Sequence, residues 1–168
     1  MKTEKIIELK ARQYLTANNL NCPVDLNHII KQRQITLVDR KLTEDEAMFI
    51  RTDKEKIMII DKRQSPGQLR FNVAHEIAHD ILDVGNTIFT NPSPAFSKEK
   101  SPEDIAADIF ASELLIPTPV LKRESYRCKY DLDKLVKFFK VTRQAMITKL
   151  SIKKIPCRDG KKIYGNFF

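Results

Sequence analysis

The chain lacks the features of secreted and membrane proteins. No apolar run approaches the roughly 18 residues that a transmembrane helix needs, and the first residues, MKTEKIIELKAR, lack the apolar core of a signal peptide. Three cysteines at wide, irregular spacings favour reduced thiols over a disulfide framework. The sequence contains no C-x-x-C pair, so we do not expect a zinc site built from cysteines. We therefore expect a cytoplasmic protein with no membrane segment.

The composition is that of a globular protein with a basic excess. The 168 residues are 42% hydrophobic and 31% charged, and they carry a formal net charge of +8. The basic excess is concentrated near the C-terminus, in Lys122, Arg123, Arg127, Lys129, Lys153, Lys154, Arg158, Lys161 and Lys162. Charge alone leaves nucleic-acid binding open. Because nothing else resembles a base-reading surface, we do not expect nucleic acid to be the main partner.

One stretch, residues 70–82, contains the candidate metal-binding and catalytic residues. It reads RFNVAHEIAHDIL, in which His75, Glu76 and His79 form an H-E-x-x-H motif. Residues four apart share one face of a helix, so both imidazoles can reach one ion. Neutral imidazole suits zinc, and a neighbouring carboxylate can accept a proton from a water molecule that the ion has acidified. Two of only three histidines in the chain lie here, so the motif predicts a zinc site with Glu76 as general base.

A third ligand is expected on a second helix, which reads PEDIAADIFASELLIP. Catalytic zinc sites commonly add a carboxylate to two histidines. Asp104 and Asp108 lie four apart on a face that also carries alanines, and small side chains permit close approach of another helix. Asp104 is our candidate ligand and Glu103 the alternative. Both could instead stabilise the first turn of the helix behind Ser101.

Apolar periodicity and turn residues predict the remaining elements. Helices are expected over residues 4–15, 26–31, 66–82, 102–117, 130–139 and 143–150, with a further short helix opening at Thr118. Strands are expected over residues 35–38, 47–51 and 56–60, the last two as an antiparallel hairpin. His28 is expected to be an ordinary surface histidine. The long segment 83–100, with two prolines, suggests a lid or substrate rim.

RFNVAHEIAHDIL followed by EDIAADIFASELLIP resembles the ImmA/IrrE family of metallopeptidases. The flanking segments extend the resemblance over roughly residues 23–150. It implies an α+β fold, with a mainly helical zincin-like core and a small antiparallel sheet preceding the H-E-x-x-H helix. We expect one domain over residues 1–168, whose tail, residues 151–168, has no readable role.

The resemblance also implies roles for the acidic residues of the second helix. Asp108 would accept a hydrogen bond from a ligand histidine without binding the metal, as carboxylates around zinc sites do. The family usually has glutamate where this chain has Asp104. Aspartate is one methylene shorter, so either the helices lie closer together, or Glu103 substitutes, or the affinity for metal is reduced.

The expected function is that of a zinc endopeptidase that cleaves a cytoplasmic regulator. The resemblance implies a helix-turn-helix repressor of a phage or mobile element as the protein substrate. The alternative is a regulatory or DNA-associated module that keeps the fold without turnover, since FKVTRQAMITKL is similar to the turn and second helix of a helix-turn-helix. A helical hairpin that closes the domain, with no contact to DNA, would have the same sequence pattern. By chemistry alone, Arg70, Tyr126 and Tyr130 are candidates to stabilise an oxyanion.

Overall fold

Helices dominate this computed structural model, which describes residues 2–42, 47–83, 100–160 and 162–165. The helices are α1 Lys2–Ala17, α2 Leu26–Gln32, α3 Pro66–Leu82, α4 Pro102–Leu115, α5 Thr118–Arg127, α6 Leu132–Phe139 and α7 Arg143–Ile152. The strands are β1 Ile35–Asp39, β2 Ala47–Arg51, β3 Lys56–Ile60, β4 Cys157–Asp159 and β5 Lys162–Tyr164. The predicted α+β, mainly helical fold is confirmed. No helix among these residues is long and apolar enough to cross a membrane.

The first sheet has the order β1-β3-β2. Strands β2 and β3 form the predicted antiparallel hairpin, with Ala47 opposite Ile60. Strand β1 pairs with β3 in parallel, with Ile35 opposite Lys56, so the sheet is mixed. Sequence patterns predict the strands but not the direction of neighbours that no tight turn connects. In the predicted tail, β4 and β5 form a second antiparallel pair, which the sequence reasoning missed.

The core lies where α3 packs against α4. Ala74 and Ala78 on α3, with Ala107 and Ala111 on α4, are fully buried. These small side chains let the two helices approach closely, as the alanine pattern suggested. On its other side α4 packs against α1, while α3 also contacts β2, β3 and α2. The close α3–α4 contact places the H-E-x-x-H motif beside the acidic first half of α4.

The segment FKVTRQAMITKL forms the end of α6, a turn and most of α7. The start of α7 lies against the start of α3, so closely that a Cβ atom on Gly67 would be 2.8 Å from the backbone nitrogen of Thr142. In a DNA-binding helix-turn-helix, the first residues of the second helix contact base edges. Here α3 packs against the N-cap of α7, and this contact favours a packing hairpin.

Candidate metal centre

Three side chains from α3 and α4 converge on one point. Nε2 of His75 and Nε2 of His79 are 3.0 Å apart. Oδ1 of Asp104 lies 3.7 Å from the His75 nitrogen and 3.4 Å from the His79 nitrogen. Two imidazole nitrogens and a carboxylate oxygen this close together form a donor set for a divalent metal ion.

The spacing of the three donor atoms fits a single ion. An ion bound tetrahedrally at about 2.0–2.1 Å from each ligand separates the ligand atoms by about 3.3 Å. The three observed separations lie on either side of that value. The His79 side chain is only 8% exposed, whereas that of Asp104 is 43% exposed. The three residues could therefore hold a metal ion that stays open to solvent on the Asp104 side.

Asp104 makes both of the contacts that the sequence presented as alternatives. Its backbone nitrogen donates to Oγ of Ser101 at 3.1 Å, which caps α4. The Ser101 hydroxyl also lies 2.9 Å from Oδ2 of Asp104. The serine thereby occupies one carboxylate oxygen and leaves Oδ1 facing the histidines. Glu103, by contrast, is exposed and does not belong to the donor cluster found in the described residues.

Asp108 lies one turn after Asp104 and contacts the far side of the His75 ring. Its Oδ1 is 2.9 Å from Nδ1 of His75, and Lys100 donates to its Oδ2 at 2.5 Å. Burial alone would raise the pKa of Asp108, but the hydrogen bonds from His75 and Lys100 outweigh it and lower the pKa. An ionised Asp108 accepts a hydrogen bond from the Nδ1–H group of His75. In this tautomer the lone pair of Nε2 is directed at the cluster.

Glu76 lies beside His75 on α3 and is half-buried. Burial lowers the pKa of His75, but the hydrogen bond to Asp108, the charge of Glu76 and the charge of Asp104 outweigh it, so the net shift is upward. These carboxylates give the cluster a negative potential that favours a cation. Glu76 is thus an acid whose negative charge acts on the donor set through His75.

Asp80, which the sequence reasoning missed, holds α3 on the side that faces away from α4. Nε of Arg33 donates to its Oδ2 at 2.6 Å, and Nζ of Lys56 lies 2.8 Å from its Oδ1. The carboxylate is fully buried. The signal in the sequence was an acid directly after H-E-x-x-H, on the side of the helix that carries core residues. Asp80 ties the end of α3 to α2 and β3, next to His79.

The other predicted site residues lie in different surroundings. Arg70 donates to the carbonyl oxygen of Val24 at 2.6 Å, a contact that holds α3 to the start of α2. Tyr126 is 77% exposed on α5. His28 is exposed, as expected. Of the predicted lid, residues 84–99 lie outside the described residues.

Comparisons with known proteins identify a family and a shared fold. The model of the Peptidase_M78 family, described as an IrrE N-terminal-like domain, matches residues 5–151. Among solved structures, the chain is similar to a Mycobacterium tuberculosis transcriptional regulator, with a TM-score of 0.63 and 18% identity. The match covers 88% of this chain and 46% of that one, so the chain spans under half the length of the regulator. At this identity the likeness is one of fold. No curated protein matches the chain.

Proposed function

The chain belongs to the Peptidase_M78 family, and from this premise we propose that it is a zinc endopeptidase acting on a cytoplasmic regulator protein. The observation that carries the proposal is the convergence of His75, His79 and Asp104 beside Glu76. Two imidazoles and one carboxylate are a donor set that catalytic zinc sites use, with one position left for water. A merely structural zinc site would close that position with a fourth protein ligand.

The donors that would hold zinc are Nε2 of His75, Nε2 of His79 and Oδ1 of Asp104. When bound, zinc acts as a Lewis acid and lowers the pKa of a water molecule to about 7. Glu76 accepts a proton from the attacking water and later donates it to the leaving amine. Asp108 holds the His75 ring in one orientation and tautomer through the Nδ1 contact.

A groove beside the cluster supports a peptide substrate. It has a volume of about 600 Å³, and Asp108 forms part of one wall. Phe71 from α3, Ile109 from α4 and Ile152 from α7 supply apolar lining. Sites that take peptides combine apolar walls with a few fixed polar groups. The groove therefore offers space for an apolar side chain of a substrate, and Asp108, which contacts His75, links the groove to the donor set.

Metal analysis tests the ligand assignment. We expect about one zinc ion per chain in the wild type and a strong loss in His79→Ala and Asp104→Ala, because each change removes one donor. Glu103→Ala is the matched control, since Glu103 neighbours Asp104 but points to solvent, and it should keep its zinc. The assignment of Asp104 is wrong if Glu103→Ala loses zinc while Asp104→Ala retains it.

The proposed substrate is a helix-turn-helix repressor encoded by the same genetic element, as the family resemblance implies. A peptidase of the cytoplasm has to be selective, so we expect one exposed segment of the repressor to be cut and casein to be left intact. The zinc-loaded protein is incubated with each substrate, and new termini are mapped by mass spectrometry. Glu76→Gln should bind zinc but cleave neither, because an amide cannot accept the proton. Cleavage at the wild-type rate by this variant would rule out Glu76 as the base.

A second candidate is a regulatory module that acts by binding rather than by cleavage. The observation that favours it is the fold shared with a transcriptional regulator. Glu76→Gln separates the two functions, because a binding module needs no base. If this variant relieves repression in cells as well as the wild type does, and the repressor remains uncut, the regulatory module is the better assignment.

A further inference from the structure

The net charge of the chain is unevenly distributed: residues 1–117 form an acidic part and residues 118–168 a basic part. Residues 118–168 contain fourteen lysines and arginines against four acidic residues, a net charge of +10. The preceding residues therefore have a net charge of −2. The metal cluster lies entirely in the acidic part, so this basic excess has no role in the proposed chemistry.

All four acidic residues of the basic part are already engaged. Glu124 pairs with Arg123 and Arg127, and Asp131 caps α6 by accepting from the backbone nitrogen of Lys134. Asp133 and Asp159 both pair with Arg143. Seven exposed lysines then have no carboxylate within ion-pair distance among the described residues: Lys122, Lys129, Lys134, Lys137, Lys140, Lys154 and Lys162.

Five of these lysines lie on α6 or close to its ends. Lys134 and Lys137 lie three residues apart, on the side of α6 opposite the buried Leu135 and Phe139, and Lys140 follows as the left-handed residue that ends the helix. Residues three apart are neighbours on a helix surface. The positive charges of Lys134 and Lys137 are therefore close together, and Lys140 adds a third at the C-terminal end of α6.

The other two lysines flank the start of α6. Lys129 lies in the turn that precedes the helix. Lys162 is opposite Asp159 in the β4–β5 pair, and the guanidinium of Arg143 links Asp159 to Asp133 in the first turn of α6. We call Lys129, Lys134, Lys137, Lys140 and Lys162 the α6 basic face.

We propose that the α6 basic face binds the phosphate backbone of double-stranded nucleic acid without reading its sequence. Lysines are depleted from the cores of protein interfaces, which favour aromatic residues and arginine. They are point charges well suited to phosphates along a polyanion, where released counterions drive binding. Insertion of α7 into a groove is disfavoured because its N-cap, Thr142, packs against the start of α3. Binding to DNA would also bring a peptidase to a DNA-bound substrate, although the proposal does not depend on peptidase activity.

Fluorescence anisotropy with labelled 20-base-pair duplexes, one of DNA and one of RNA, tests the proposal between 50 and 200 mM salt. Five phosphate contacts predict a slope of about −4.5 for log affinity against log salt on DNA, which is about a 500-fold loss over this range. A scrambled DNA duplex should bind equally well. The duplex that binds with the higher affinity identifies whether DNA or RNA is the partner of the α6 basic face.

The informative variant is Lys134→Gln with Lys137→Gln. It should reduce the slope by about 1.8 and weaken binding at least about tenfold at 50 mM salt. The control is Lys5→Gln with Lys10→Gln, two exposed lysines of α1, which changes the net charge equally. Both double variants should keep the wild-type melting temperature, and Glu76→Gln should bind duplexes as the wild type does.

Three results would overturn the proposal. The first is no binding at 50 mM salt. The second is equal weakening by the α1 and α6 variants, which would mean that net charge alone attracts the duplex. The third is displacement of the duplex by poly-glutamate as readily as by unlabelled DNA, which would point to an acidic protein partner.

Discussion

At the scale of single residues, Asp104 makes both contacts that the sequence presented as alternatives. Its backbone nitrogen is capped by Ser101, and its side chain supplies both the Oδ2 that contacts the serine and the Oδ1 that faces the histidines. The contact with Ser101 restricts rotation of the carboxylate. Oδ1 of this short side chain reaches within 3.4 Å of the His79 nitrogen because α4 packs closely against α3.

Ser101→Ala should therefore weaken zinc binding as well as α4. Loss of the cap costs about 1 kcal/mol, and loss of a partner outside the ligand set costs about 10 to 100-fold in metal affinity. Thr142→Ala is the control, because Thr142 caps α7 in the same way through Ala145. It should lose similar stability in urea and keep its affinity in a competition assay with a zinc-binding dye. Equal zinc affinity in the two variants would show that Ser101 does no more than cap the helix.

At the scale of elements, α3 is held from both sides. Its alanines pack against α4, while Asp80 on the opposite side binds Arg33 of the turn after α2 and Lys56 of β3. Burial would raise the pKa of Asp80, but the contacts with Arg33 and Lys56 prevail and lower it. Two cations thus keep a buried carboxylate ionised one residue after His79, and they fix the helix that carries both histidines.

We expect Asp80→Asn to lower the free energy of unfolding by about 3 kcal/mol at pH 7, because it leaves Arg33 and Lys56 without their common partner. Asp39→Asn is the matched control. Asp39 pairs with Lys62 at 3.3 Å, but both side chains are exposed, so the loss should stay below about 1 kcal/mol. Urea denaturation of the metal-free proteins measures both. Similar losses in the two variants would contradict an anchoring role for Asp80.

At the scale of the whole molecule, Glu113 joins four helices in the interior. Arg12 of α1 and Lys149 of α7 donate to its carboxylate at 2.6 and 2.7 Å, and Thr118 of α5 donates through its backbone nitrogen and its hydroxyl. Burial would raise the pKa of Glu113, yet Lys149 and the hydrogen bonds lower it. This network connects the acidic part of the chain, which carries the candidate metal ligands, to the basic part.

The network makes stability depend on pH in a defined direction. The folded pKa of Glu113 lies below its ordinary value of about 4.3, so its contribution is complete above that pH and disappears as the pH falls through the folded pKa. Glu113→Gln does not titrate. Its deficit against the wild type should be about 3 kcal/mol at pH 7 and should shrink below about pH 4. Asp133→Asn is the control, because the Asp133 side chain is 74% exposed beside Arg143, and it should cost less than about 1 kcal/mol. A deficit for Glu113→Gln that is constant from pH 7 to pH 3 would refute the linkage.

The local structure could be predicted from the sequence because its causes are local. Helix α3 begins at Pro66 and ends at Leu82, as expected, since Ser65 caps it and the apolar period of about 3.6 residues continues to its end. Strands β2 and β3 were predicted to the residue because β-branched and aromatic runs flank a tight turn. His75 and His79 share a face through helix geometry alone.

Contacts between residues distant in the chain were decided only by the tertiary structure. The parallel pairing of β1, the choice of Asp104 rather than Glu103 to face the histidines, and the partners of Asp80 all depend on how elements are placed against each other. The basic excess was visible in the sequence, but not which lysines would remain without acidic partners. Periodicity and capping act within a few residues, whereas these outcomes follow from packing between helices and strands that no local pattern encodes.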